Sequence, residues 1–266
     1  MQSAVEKLRT YREENYRSYD EIVQLWTEVL SKRNLSSLGD EKWLILEQVF
    51  KSALHSSRRS IAYECLEQLI KQFQSTSRRI SILQGMYYES IGEYNKAEEI
   101  YSTLLKDNET DGIVRKRQIS ILKDQNKINE AISELNSYLE VYQADQEAWS
   151  ELCDLYLSEH DYKKAAFCAE ELLLINPHNH LNHQRYASIC YSQGDYENAR
   201  TYYFSTIKYN PNNIRALYGI ILTSAHIKST TNVENNNIII EQILKKYKEQ
   251  ASDLLPIVEK TLQDFI

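Results

Sequence analysis

Alanine recurs every 34 residues through the middle of this chain, at Ala97, Ala131, Ala165 and Ala199. Three residues before each stands Tyr94, Ile128, Tyr162 or Tyr196, and eight residues after each stands Leu105, Leu139, Leu173 or Ile207. The positions that open the units read Ser77, Asp111, Asp145, Asn179 and Asn213. All are types whose side-chain oxygens accept from the free N–H groups of a helix's first turn. Pro177 and Pro211 keep the same step. So many columns agreeing at one period call for a stack of similar units, each too small to bury its apolar face alone.

The stretch Asp145–His178 shows what one unit contains. Trp149, Leu152, Cys153 and Tyr156 share one face of a first helix, and Ala165, Ala169 and Leu172 share one face of a second. With Pro177 closing the unit, this is the layout of a tetratricopeptide repeat. Alanine at the crossing lets two helix backbones approach, where a larger side chain would hold them apart. Gly92 and Gly194 end the first helices of their units in the left-handed conformation; Asn126 and His160 hold that column elsewhere, His160 at greater cost. Asp161 and Asp195 are placed to cap the second helices.

Four regular repeats follow, at 78–111, 112–145, 146–179 and 180–213. Trp43, Leu46, Val49, Phe50, Ala53 and Leu54, then Ala62, Leu66 and Leu69, make a degenerate repeat over 41–77. Residues 1–40 read as capping helices, with a capping box at Ser18–Glu21 before Ile22, Leu25, Trp26 and Val29. Over 214–266 a partial repeat carries Leu217, Ile220 and Ile221. A polar loop at 228–232, a helix through Ile238–Leu244 and a last helix over 253–265 complete it. The expected fold is all-α: a tetratricopeptide solenoid, a right-handed superhelix of helix pairs with irregular capping helices at both ends. It is expected to form one domain over 1–266, since terminal units must shield the ends of the stack.

Composition agrees where it bears on class. Six glycines and three prolines are too few for the turns of an all-β protein. A net charge of −7 argues against a nucleic-acid partner, and the pairs Arg58-Arg59 and Arg78-Arg79 read as solvated helix faces. The polar start MQSAVEKLRTYREEN is not a signal peptide, and no apolar run is long enough to span a bilayer, so no direct membrane insertion is expected. Cys65, Cys153, Cys168 and Cys190 fall within helical patterns and read as buried reduced thiols. His178, His180 and His183 lack a fourth ligand, and no phosphate-cradling glycine loop is present. Neither a metal, a cofactor nor an enzyme activity is expected.

What such an array offers is a groove lined by its first helices. Repeat geometry puts Arg79, Ile82, Met86, Glu147, Ser150, Asp154, Gln184, Ser188 and Tyr191 there as partner contacts. Of the twenty tyrosines, Tyr88, Tyr94, Tyr101, Tyr156, Tyr162, Tyr196 and Tyr203 fall on repeat columns and are expected in the core, hydroxyls reaching an edge. A clamp for an acidic C-terminus is disfavoured. Lys116 and Arg185 fit its columns, but Ser120, Glu151 and Leu181 do not. His160, His178 and His180 are not required by helix packing and join the candidate contacts.

The central unit carries more identity than a repeat needs. Asp145–Trp149, His160-Asp-Tyr162, Lys164–Cys168, Glu170–Leu172 and Asn176–His180 closely resemble the ER membrane protein complex subunit 2 family. Tyr11–Asn15, Arg215–Leu217 and Ser224–His226 are similar to the same family. The resemblance implies a non-catalytic scaffold held peripherally on the cytoplasmic side of the endoplasmic reticulum. Its implied partners are the complex's membrane-spanning subunits and a soluble cytosolic subunit, in an assembly that inserts tail-anchored and multi-pass membrane proteins. From the repeats alone, a free cytosolic adaptor that binds another protein's peptide tail is the alternative.

Overall fold

The structure, a computed structural model, describes residues 2–32, 35–74, 77–227 and 232–263. Among them there is helix and turn but no strand, and the chain divides into two compact units, Met1–Lys127 and Ile128–Ile266. In both, successive helices pack as the pairs of a tetratricopeptide repeat, the fold class the period demands.

The first unit holds α1 (Gln2–Glu13), α2 (Tyr19–Leu25), α3 (Glu41–His55), α4 (Arg59–Phe73), α5 (Arg78–Ser90), α6 (Tyr94–Asp107) and α7 (Gly112–Asp124). Beyond Leu25 the helix widens into a π-helical turn, Trp26–Leu30. The expected capping helices bury Leu8, Ile22, Trp26 and Leu30 against Ile45, Leu46, Val49 and Phe50 of α3. Trp43 and Leu54, expected on that face, are half-buried at its margins. A second cluster joins Ala97 and Tyr101 of α6 to Val114 and Ile121 of α7.

The second unit holds α8 (Ile128–Val141), α9 (Gln146–Ser158), α10 (Tyr162–Ile175), α11 (His180–Gln193), α12 (Tyr196–Tyr209), α13 (Ile214–His226), α14 (Asn232–Gln250) and α15 (Leu255–Leu262). The two C-terminal helices pack on the last repeat: Ile239, Ile240, Ile243, Val258 and Leu262 share a core with Leu217, Ile220 and Ile221. The polar loop expected at 228–232 lies outside the described residues, except Asn232, which begins α14.

The repeat columns take the geometry their chemistry requires. Ala97, Ala131, Ala165 and Ala199 are fully buried. The side chains of Asp111, Asp145, Asn179 and Asn213 accept from backbone N–H groups of the helices they open, as do Asp161 and Asp195. Ser77 occupies its cap position without a side-chain bond, and so does Ser18, whose ψ of 65° departs from the extended cap conformation. The capping box at Ser18 is therefore not formed.

Gly92, Asn126, His160 and Gly194 all have left-handed φ, between 57 and 82°. Each first helix is closed in one way. Glu93, Lys127, Asp161 and Asp195 donate their N–H to the carbonyls of Tyr88, Leu122, Tyr156 and Cys190, at 2.8 to 3.0 Å. This six-to-one bond defines the Schellman turn. All four cysteines are buried free thiols. Of the column tyrosines only Tyr101, Tyr156 and Tyr203 are buried. Tyr88, Tyr94, Tyr162 and Tyr196 stop half-way, because the phenol must keep a polar partner: Tyr94 donates to Asp124 at the surface.

Candidate partner-binding surfaces

In the second unit, α9, α11 and the start of α13 line an open cleft of about 580 Å³. Three expected contacts meet there: Ser150, Gln184 and Ser188. Helical spacing explains the meeting, since Gln184 and Ser188 are four residues apart on one face of α11. Ser150 lies on the facing side of α9. Arg185 ties the two helices together. Its guanidinium donates to Ser150 Oγ at 2.5 Å and pairs with Asp154, which puts Asp154 at the cleft edge. Gln184 is held by Asn213, whose Nδ2 donates to its Oε1 at 2.7 Å; Ser188 Oγ lies 3.1 Å from the Tyr203 hydroxyl. The cleft is thus organised before any partner arrives, and ordering it costs little on binding.

The sequence pattern missed Arg215, Asn179 and Asn182 in this lining. Arg215 stands one period after Leu181 and could have been found by that step. Asn182 could not. Its amide is buried and donates to the Leu172 carbonyl at 2.9 Å, a bond set by the turn rather than by the repeat.

The other expected contacts are dispersed. Glu147 is exposed on α9. Tyr191 sits in an aromatic group with Tyr196 and His226, its hydroxyl 3.3 Å from His226 Nε2. His226 in turn stacks on Tyr196 at 4.1 Å. His160 and His178 are exposed in the turns after α9 and α10, and the His178 ring meets Tyr209 edge-on. His180 points inward: its ring nitrogens lie 3.2 and 3.3 Å from the amide nitrogens of Asn210 and Asn213. These contacts account for His180 by packing between repeats.

In the first unit, Arg79 of α5 is bound to Glu47 of α3, with Nε donating to Oε2 at 2.6 Å. Met86 is buried and lines a cleft of about 290 Å³ with Glu89, Arg117, Tyr94 and Asp124. Ile82 is half-buried against the core. Among the described residues no group of three or more His, Cys, Asp or Glu could hold a metal ion, and no helix is long and apolar enough to cross a membrane.

Known proteins match this architecture in two ways. Solved structures show the fold alone. One is the C-terminal part of a TPR repeat-containing protein from Cytophaga hutchinsonii, with a TM-score of 0.62 at 14% identity, covering 91% of this chain and 94% of that one. Another is PilF from Pseudomonas aeruginosa, with a TM-score of 0.56 at 18% identity, covering 84% and 98%. Sequence reaches further. The model of the EMC2 TPR-like repeat domain matches residues 65–203. The protein named ER membrane protein complex subunit 2-A of Xenopus laevis is 42% identical over 255 residues, 91% of this chain and 85% of that one. At this identity over this length, and with the family's repeat domain matched across more than half of its residues, the chain belongs to the ER membrane protein complex subunit 2 family.

Proposed function

We propose that the protein is a non-catalytic scaffold subunit of a multi-subunit ER membrane protein complex. It lies peripherally on the cytoplasmic face of the membrane, and it organises membrane-spanning and soluble subunits of an insertase for tail-anchored and multi-pass membrane proteins. The observation that carries this reading is the 42% identity, sustained over 91% of the chain, with a protein named as a subunit of that complex. A cleft in each unit, together with exposed His160 and His178 in the turns, supports this reading by offering separate places for partners. In this reading Ser150, Asp154, Gln184 and Ser188 line a seat for a partner segment, with Arg79, Met86, Glu147 and Tyr191 as further contacts. Exposed His160 and His178 mark the turn side, and His180, turned inward onto Asn210 and Asn213, backs that surface.

Affinity purification of the tagged chain from detergent-solubilised membranes tests the proposal, with the partners identified by mass spectrometry. Co-purification of membrane-spanning ER subunits is expected, together with release of the chain from membranes by alkaline carbonate and its digestion by protease added outside sealed microsomes. A chain recovered without ER partners would sink the proposal. Protection from the protease would overturn the cytoplasmic placement alone. The open cleft beside Arg185 and Arg215 keeps the free-adaptor reading in play, and that reading predicts one dominant partner with a soluble tail.

A further inference from the structure

The N-terminal end of the first unit carries a second cleft, of about 370 Å³, that no repeat column anticipates. Its walls come from the end of α1, the start of α2, one face of α3 and Arg79 of α5. Two stacked aromatic pairs line it. Tyr11 and Tyr16 lie 5.6 Å apart at 19°, and Tyr19 and His55 lie 4.1 Å apart at 9°. At its rim Tyr16 is 60% exposed and Leu44 is 42% exposed, although other apolar side chains on these helices are spent on the core.

Charge is the second observation. The chain as a whole has a net charge of −7, yet this lining has Arg12, Lys51 and Arg79 against the single carboxylate of Glu47. Glu47 is shared by Lys51 at 2.7 Å and Arg79 at 2.5 Å. Behind the wall, Glu41 is likewise shared, by Arg9 at 2.7 Å and Arg12 at 3.3 Å. The excess belongs to the lining itself: just outside it Glu21 is paired with Lys7 and accepts from the Tyr11 hydroxyl, while Asp20, bonded only to the neutral Ser56 hydroxyl, keeps its charge at the rim. A concave site with excess positive charge and flat aromatic faces attracts anionic groups and keeps a place for apolar ones.

We propose that this cleft docks an extended acidic segment of a partner protein, in which Asp or Glu alternates with Leu or Phe. The carboxylates meet Arg12, Lys51 and Arg79, and the apolar side chains lie on Tyr16 and Leu44. An anionic bilayer fits less well. Arg12 is recessed, its side chain only 28% exposed, and a flat surface does not reach between α1 and α3. The inference rests on the chemistry of the cleft and stands apart from the membership of a complex.

Fluorescence anisotropy on the full chain tests it, with a dye-labelled peptide of about ten residues alternating Glu with Leu and Phe. Controls are the same peptide with Gln for Glu, and vesicles with about a third phosphatidylserine. Saturable binding of the acidic peptide is expected, weakening about tenfold or more for R12Q/R79Q and severalfold for Tyr16→Ala. Loss of binding by the Gln peptide and an unchanged affinity for Lys260→Gln, at an exposed site on α15 that lines no described cleft, are expected too. The idea is overturned if the Gln peptide binds as well, if both cleft variants bind like the parent, if only vesicles bind, or if nothing binds. Should R12Q/R79Q lose its helical circular dichroism, Tyr16→Ala decides alone, because that ring is mostly in solvent.

Discussion

The ring of Tyr101 fills the space that a side chain on Gly85 would need. A Cβ at Gly85 would lie 2.5 Å from Cε1 and Cζ of that ring and 2.6 Å from its hydroxyl oxygen. The ring cannot swing away: it is fully buried, and its hydroxyl donates to Glu89, which also accepts from Arg117 at 3.1 Å. One phenol thus links α5, α6 and α7. In the second unit Tyr203 stands against Gly219 in the same way.

Gly85→Ala should therefore destabilise the chain, against the helix-propensity gain of about 1 kcal/mol that alanine brings. Overpacking a well-filled site costs about 1–3 kcal/mol, and here it wins because the ring is pinned. The urea midpoint should fall for Gly85→Ala and recover in the double variant with Tyr101→Leu. A stabilised single variant would show that the ring yields freely.

The caps give a graded series. Asp145→Ala and Asn213→Ala each remove an acceptor from a helix N-terminus, which alone costs about 1 kcal/mol, and each also loses a side-chain bond, from Tyr138 or to Gln184. Asp111→Ala should cost more, since that carboxylate also holds Arg78 and is itself buried. Ser77→Ala should cost least, because Ser77 makes no side-chain cap bond. Equal losses at Ser77 and Asn213 would contradict the observed geometry.

Alkaline pH should unfold the protein before the backbone is otherwise stressed. Burial pushes the thiols of Cys65 and Cys168 up to about 12 and that of Cys153 to about 11, from 9.0. Burial also raises Tyr101. The unfolded chain loses these protons first and so binds fewer of them than the folded chain. Stability is then complete below pH 9.0 and is lost as pH rises through the folded values, by at most about 1.4 kcal/mol per pH unit for each group. Urea midpoints at about pH 8 and about pH 10.5 measure this. A thiol reagent should modify none of the four cysteines at neutral pH until denaturant is added. A flat profile would remove burial as the cause.

The repeat was legible in the sequence because its determinants act within one turn of helix. An Asp or Asn cap, a left-handed residue and a small crossing residue each satisfy a local requirement, and each lands where its column puts it. The clefts were less legible for the opposite reason. Gln184, Ser188 and His180 face neighbouring repeats and are bonded to Asn213, Tyr203 and Asn210. Those bonds depend on which rotamers meet across a packed surface, and a 34-residue step does not encode that. The N-terminal cleft falls outside the period altogether. Its arginines look like ordinary solvated charges until folding brings Arg12 and Arg79 beside α3.

His160 keeps a left-handed φ of 57° in a Schellman turn where Gly92 and Gly194 do the same without strain. A non-glycine residue in that region costs about 1–2 kcal/mol, and glycine returns part of this through its freedom in the unfolded chain. His160→Gly should therefore raise the stability of the isolated chain by roughly 0.5–1 kcal/mol. Asn126→Gly relieves the same φ, 59°, at the matching column and should raise it by less, asparagine being the better tolerated residue. If the exposed imidazole is retained for a partner, the two variants part company in the purified complex. His160→Gly should lower the recovery of partner subunits while Asn126→Gly leaves it intact. Equal recovery with both variants would reduce His160 to an uncompensated strain in the turn and remove it from the partner surface.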